Sequence, residues 1–352
     1  MSLELAWFAA LCDDDYEQLG VPDPSLASSY EHCLDIVQTA DRAGFDSILM
    51  PSGYTLGIDT VAFTAAVARQ TRHISPIVAV RMGELWPPQL ARQLATLDHL
   101  LQGRMVVNII SSEMPGEQLA STPRYTRTLE YMQALRTLLN GESLHTAGDF
   151  VHLDVDPPRL RTTSGTCPPL YFGGLSDDPR EVAAAAADVY LMWPDTLDGV
   201  AAIIADMRQR AATHGRTLRF GYRVHVVVRP TEAEARAAAE QLVAALDPEV
   251  GEAIRARSLD STSVGVRAQA ELRDASDPHG YIEPHLWTGI GRARSGCGAA
   301  IVGDPQQVAD KIRTYQSLGI DTFILSGYPH RRECERFAEL VMPLLRDTTA
   351  TS

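Results

Sequence analysis

The chain has 352 residues, 45% of them apolar, and a formal net charge of -14. This is enough apolar material for a large core, and the acidic balance argues against nucleic acid and against an anionic membrane surface, though not against a small anion held by local arginines. The five cysteines (Cys12, Cys33, Cys167, Cys297, Cys334) are odd in number, far apart and without a CxxC pair, as expected of a reduced, cytoplasmic protein. No apolar run approaches the roughly 20 residues of a membrane span, and the first residues lack a basic region followed by an apolar one, so no signal peptide is expected.

Strand and helix patterns then alternate. Residues 3–11 read as a first strand and 28–43 as a helix with Cys33, Ile36, Val37 and Ala40 on one face. A second strand over 45–51 precedes a helix over 60–70, and a third over 73–81 precedes one over 88–101. The fourth strand, 104–112, leads into a polar stretch, 113–123, and a helix over 125–139. Residues 143–155 read as a small hairpin turning at Ala147-Gly148-Asp149. The fifth strand is 170–173, followed by an Ala-rich helix capped by Asp178-Pro179; the sixth is 189–193, followed by a helix over 197–214. The seventh, 218–228, precedes a helix over 231–246 opened by a Thr231/Glu234 capping box. The segment 247–294 breaks the rhythm, being polar and Gly-containing, and is expected to be an insertion that is either a lid or disordered. After an apolar run at 299–302, Asp304, Pro305 and Gln307 start a helix ending near Gly319, and the eighth strand centres on 323–325. Eight short apolar strands alternating with helices predict one domain, a closed (β/α)8 TIM barrel spanning 1–352.

In such a barrel ligands meet the C-terminal ends of the strands, and here those ends are polar. The third ends at Arg81, the fourth at Asn108 and Ser111, the fifth in Gly173-Gly174-Leu175-Ser176, the sixth at Trp193, and the eighth at Tyr328 and His330. Arg223 and His225 lie two residues apart in the seventh and so share a face. The Gly173–Ser176 turn before a helix suits a phosphate, or is a plain tight turn. Buried arginine needs a partner, so Arg223 is either a structural ion pair or a ligand-binding group; its place near a strand end favours the latter. Arg292 and Arg294, in the Gly-rich end of the insertion, either close over an anion or are solvated, and Trp193 reads as a wall for a flat ligand. There is no HExxH, no metal-ligand histidine spacing, no GxSxG, no Walker loop and no GxGxxG after the first strand.

The runs LWTGIGRARSGCGAAIVG (286–303), LGIDTFILSGYPH (318–330), PPLYFGG (168–174) and HGRTLRFG (214–221) join Arg223-Val224-His225, ATLD (95–98), Gly103-Arg104 and Asn108. Together these resemble the alkanesulfonate monooxygenases among the bacterial luciferase-like flavin monooxygenases, over nearly the whole chain. The resemblance implies a barrel with a mobile insertion and reduced FMN as a diffusible co-substrate from a separate NAD(P)H-dependent flavin reductase. It also implies oxygen activated on that flavin, cleavage of a sulfonate to aldehyde and sulfite, and a homodimer or homotetramer. Arg223, His225, Tyr328, His330 and Arg294 match the family's active-site positions; Tyr125, Gly174 and Ser176 match positions near the flavin phosphate, and Trp193 an active-site wall. With them Asn108, Ser111 and Gly173 are expected to hold the cofactor, while Cys12, Leu56 and Arg81 are expected in the substrate wall. Two positions depart from the pattern. The family usually has His in a Thr-His-Gly-Asp-Gly loop after the first strand, where this chain reads Leu11-Cys12-Asp13-Asp14-Asp15; after the second strand it usually has Cys, where this chain has Leu56. The expected activity is therefore oxidation of a small organosulfonate, or the same flavin chemistry on another sulfur or nitrogen compound. A non-catalytic flavin-binding relative is the contrasting class, and the Ser-Gly-Tyr-Pro-His run disfavours a deazaflavin dehydrogenase.

Overall fold

The computed structural model describes residues 3–256, 263–294 and 296–346. In chain order its strands and helices are β1 (Glu4–Phe8), α1 (Tyr30–Ala43), β2 (Ser47–Met50), α2 (Thr60–Val67), β3 (Ser75–Arg81), α3 (Pro87–Leu100), β4 (Val106–Ile110) and α4 (Ser121–Leu139). A side hairpin, β5 (Leu144–Ala147) with β6 (His152–Val155), precedes β7 (Leu170–Phe172), α5 (Asp177–Ala186), β8 (Val189–Met192), α6 (Leu197–Thr213), β9 (Arg219–Val228) and α7 (Glu232–Val243). Then come α8 (Pro248–Ala256), α9 (Val264–Asp274), β10 (Tyr281–Glu283), β11 (Leu286–Trp287), β12 (Ala300–Gly303), α10 (Pro305–Leu318), β13 (Thr322–Ser326), α11 (His330–Leu340) and α12 (Met342–Arg346).

The parallel pairings run β1–β2–β3–β4–β7–β8–β9–β13 and return to β1, so eight strands close a TIM barrel. Side-chain period 2 sorts each strand between two layers. Ala6, Phe8, Leu49, Ile77, Tyr171, Val189 and Ile324 form the cluster inside the barrel, whereas Leu5, Trp7, Ile48, Val78 and Leu325 belong to the layer under the helices. At the N-terminal end of the strands Arg219 pairs with Asp321 at 3.0 Å and Glu4 at 3.1 Å, closing the floor with satisfied charge. The opposite end is left for chemistry.

Capping follows the sequence at two helices: Thr231 with Glu234 opens α7, and Asp304 with Gln307 opens α10, each a reciprocal box worth about 1 kcal/mol. At α5 it does not. The cap is Ser176, not Asp178, and Asp178 instead accepts from Thr122 Oγ1 at 2.9 Å. Helix α4 likewise begins at Ser121, inside the stretch expected to be polar loop, and brings Arg124 beside Tyr125.

The 247–294 segment contains α8, α9 and the β10–β11 ribbon; residues 257–262 of it lie outside the described ones. It is carried on β12, which pairs with β9 from Ala300↔His225 to Gly303↔Val228, beyond the point where β8 ends at Met192↔Tyr222. The ten-residue β9 outruns its neighbour, and the exposed edge takes up the apolar 299–302 run. Gln269 of α9 fixes the insertion on the barrel mouth, donating to Pro194 O at 2.7 Å and accepting from Gly298 N at 3.1 Å. Among the described residues no helix is long and apolar enough to cross a membrane.

Candidate active site

At the C-terminal ends of the strands a cleft of about 230 Å³ opens between β4, β7, β8 and β9. Its lining includes Asn108 and Ser111 from β4 and the residues after it, Arg124 and Tyr125 from α4, Gly173, Gly174 and Ser176 after β7, Trp193 after β8, Arg223 from β9, and residues 263–265 at the start of α9. Gly173 has no room for a side chain, because a Cβ there would sit 1.9 Å from Leu191 O. A Cβ at Gly174 would sit 2.6 Å from Pro179 Cβ. Bare backbone therefore leads directly into α5, whose Ser176 cap makes no side-chain bond to the helix. The N–H groups of the first turn of α5, the Ser176 hydroxyl and the Arg124 guanidinium, which also pairs with Glu113 at 3.6 Å, together suit a phosphate. The indole of Trp193 forms a flat wall, backed by the insertion and the residues just after it: a Cβ on Gly265 would approach Cζ3 at 2.9 Å and one on Gly296 would approach Cζ2 at 3.1 Å. An anion cradle and a flat wall on one cleft fit a flavin mononucleotide. Replacing Ser176 by Ala removes a phosphate donor but no cap bond, so reduced FMN is expected to bind roughly tenfold more weakly with the melting temperature unchanged, as titration and calorimetry would read.

Behind Arg223 lies a second, buried cluster. The Arg223 guanidinium donates to Ser326 Oγ at 2.8 Å and to the carbonyls of Val224 at 3.1 Å and Ile324 at 3.3 Å, and its Cζ lies 4.5 Å from the centroid of the Phe8 ring. Ser326 Oγ also meets His225 Nδ1 at 2.7 Å. The rings of His225, Tyr328 and His330 follow in line, with centroids 5.3 and 5.1 Å apart. Arg294 reaches Asp14 at 3.1 Å. Asp15 accepts from His330 Nδ1 at 2.8 Å and from its backbone N–H at 2.9 Å through Oδ1, and from His32 Nε2 at 2.8 Å through Oδ2. Four polar atoms here are buried without a protein partner among the described residues: His225 Nε2, Tyr328 Oη, His330 Nε2 and Asp14 Oδ1. Buried polar atoms are rarely left so unless a ligand completes them.

Electrostatics sort these groups. Burial, then Arg223 and Arg294, hold His225 well below its ordinary value, so it is neutral at neutral pH. Burial pushes the Tyr328 phenol up despite Arg294, so it keeps its proton. Burial alone would raise Asp15, but His330 and His32 overcome it and hold the carboxyl well below the usual range. Among the described residues no group of three or more His, Cys, Asp or Glu is arranged to hold a metal ion.

The residues singled out from sequence thus fall into two groups. Asn108, Ser111, Tyr125, Gly173, Gly174, Ser176 and Trp193 share the cleft, and Arg223 joins it to His225, Tyr328, His330 and Arg294. The remaining three lie off the cleft lining. Arg81 is turned to Glu84 at 3.0 Å and Glu113 O at 3.4 Å. Cys12 and Leu56 meet across Gly53, where a Cβ would lie 3.2 Å from Cys12 Sγ and 3.6 Å from Leu56 Cβ. Burial, and then Asp14, push the Cys12 thiol up to about 12, leaving a neutral sulfur in place of an imidazole. Missing from the sequence reading are Arg124, Ser326, Asp14, Asp15 and His32. A signal existed for the two aspartates, since three consecutive acids after an apolar strand are an unusual opening to a loop.

The sequence profile described as "Luciferase-like monooxygenase" matches residues 7–322. The chain belongs to this family. A sulfoquinovose monooxygenase of Novosphingobium aromaticivorans is 63% identical over 97% of this chain and 96% of its own, and one of Agrobacterium fabrum is 50% identical over 97% and 90%. Among solved structures, a riboflavin lyase crystallised with modified FMN and riboflavin superposes with a TM-score of 0.83 at 18% identity, covering 100% of this chain and 93% of its own, a likeness of fold. As a luciferase-like monooxygenase the chain is a flavin-dependent enzyme using reduced FMN and O2, the cofactor the cleft fits.

Proposed function

We propose that this luciferase-like monooxygenase is the oxygenase of a two-component system: a separate NAD(P)H-dependent reductase supplies reduced FMN, and an organosulfonate is oxidised with cleavage of its C–S bond. The observation that carries the reading is Arg223, a buried cation at the junction of the flavin cleft and the cluster of unpartnered polar atoms. An anionic head group beside the flavin needs such a donor, and burial strengthens it. The two sulfoquinovose monooxygenases make the sugar sulfonate the first substrate to try.

The reaction balances as R-CH2-SO3⁻ + FMNH2 + O2 → R-CHO + SO3²⁻ + H⁺ + FMN + H2O. Reduced FMN, when bound, supplies two electrons and activates oxygen against the carbon bearing sulfur. The protein's own groups do the rest. Ser176 and Arg124 anchor the phosphate, Trp193 and the insertion exclude water, Arg223 and Arg294 hold the sulfonate oxygens, and His225, Tyr328 and His330 hydrogen-bond the substrate and move its proton.

The deciding experiment is anaerobic titration with reduced FMN, then mixing with oxygenated buffer and a panel of sulfonates while sulfite is assayed. Tight binding with sulfite release supports the reading. Oxidation of another sulfur or nitrogen compound without sulfite release from any sulfonate overturns the substrate class, and no binding of reduced FMN overturns the whole of it. Among the described residues Arg294 has one ion pair, to Asp14, and its side chain is 21% exposed. Arg294→Ala is therefore expected to lower kcat/KM for sulfite release by about 100-fold while lowering the melting temperature by only a few degrees; a collapsed melting temperature would contradict this.

A further inference from the structure

We propose that Asp15 is a positioning residue for His330: it holds the ring with its proton on Nδ1, turns Nε2 to the substrate as a base, and stabilises the imidazolium formed when Nε2 takes a proton. The inference rests on the monooxygenase reading above, whose balanced reaction removes one proton from the carbon bearing sulfur.

The geometry leaves little freedom. Asp15 and His330 side chains are 0% exposed, and His32 is 13% exposed. One carboxylate oxygen accepts both the ring Nδ1–H and the backbone N–H of His330, locking backbone and side chain to the same atom. The other oxygen is held by His32 Nε2 from α1, so the carboxylate cannot rotate away. An ionised carboxylate only accepts, so Nδ1 must donate. His330 Nε2 is then the ring atom left to exchange a proton, and it is buried without a partner, beside the equally unpartnered Tyr328 hydroxyl. A carboxylate behind an imidazole that faces a reacting group fixes its tautomer and offsets its charge. His330 is also the first residue of α11, so the same carboxylate meets that helix's positive end. The charged and titratable groups around His330 are Asp14 and Asp15 from the loop after β1, His32 from α1, Arg223 and His225 from β9, Tyr328 from the turn before α11, and Arg294 from the insertion.

The test is ¹⁵N NMR of the histidine-labelled, flavin-free protein, with His330→Gln assigning the signal among the ten histidines. The neutral His330 ring is expected to carry its proton on Nδ1, and Asp15→Asn is expected to lose that preference. In steady-state assays Asp15→Asn is expected to lower kcat roughly 100-fold with KM changed less than threefold, to move the acid limb of the pH profile to lower pH, and to add nothing to His330→Gln in the double variant. If His330 in the native protein carries its proton on Nε2 alone, or if the effects of the two variants multiply, the proposal fails. Equally, a fall in melting temperature with kcat intact reduces Asp15 to a helix cap. Should Asp15→Asn not fold, His32→Gln replaces it: a several-fold drop in kcat with Nδ1 still protonated supports the proposal, and unchanged kcat with a tautomer mixture overturns it. The NMR arm needs no substrate, so an absent sulfonate activity, which defeats the reading above, is distinguishable from a failure here.

Discussion

Replacing Arg223 by Ala is expected to lower kcat/KM for sulfite release at least ~1,000-fold, mostly through weaker substrate binding and lost transition-state stabilisation. The residue is buried within β9 and held by Val224 O, Ile324 O and Ser326 Oγ, so its guanidinium arrives at the cleft already oriented. Burial pulls it somewhat below its ordinary value, but arginine remains a cation. Without it the sulfonate would enter a site lacking its central charge. The same substitution removes the hydrogen bonds to the two carbonyls and to Ser326 Oγ in a buried place, at about 1–3 kcal/mol, so a lower melting temperature is expected as well. Arg223→Lys separates the effects. It keeps the charge but not the fork that spans Ser326 and the two carbonyls, and an intermediate loss of activity is expected. Steady-state sulfite assays at saturating reduced FMN, with calorimetry on each variant, measure both. An Arg223→Ala enzyme within tenfold of the parent would remove the argument for an anionic substrate at this place.

Gly173→Ala is expected to weaken reduced FMN at least ~100-fold, equivalent to about 2.7 kcal/mol. The cause is steric. The added methyl would meet Leu191 O at 1.9 Å and Leu191 C at 2.9 Å, neither of them the end of a flexible side chain. β7 and β8 must then separate where Tyr171↔Val189 and Phe172↔Tyr190 are paired, directly beneath the cradle. Overpacking of this kind costs about 1–3 kcal/mol of stability, and the displaced backbone no longer presents its N–H groups to the phosphate. Fluorescence titration under anaerobic conditions reads the affinity and thermal unfolding reads the strain. Normal affinity with a normal melting temperature would mean the turn relaxes without moving the cradle.

The amino-acid sequence by itself determined the alternating strands and helices, because short apolar runs and helical stripes are local patterns. It also determined the capping boxes of α7 and α10, which depend on residues three apart, and the shared face of Arg223 and His225, which depends on residues two apart. The Gly173–Ser176 turn, read either as a phosphate cradle or a plain turn, needed tertiary structure to show what a side chain would strike. Where the cap of α5 falls was decided by the path of the chain after β7, which makes Ser176 rather than Asp178 the first flanking residue. Only closure of the barrel brought the loop after β1 against the turn after β13 and the end of the insertion, setting Asp15 on His330 across 315 positions and Asp14 on Arg294 across 280. The same closure set Ser326 between Arg223 and His225. These contacts are made through space at the seam of the sheet, and no periodicity along the chain encodes them. The positions of Arg81, Cys12 and Leu56 off the cleft lining are of the same kind. A strand end shows that a residue lies at the mouth of a barrel, but which way its side chain turns is settled by partners such as Glu84 or Gly53, supplied by the packed loops around it.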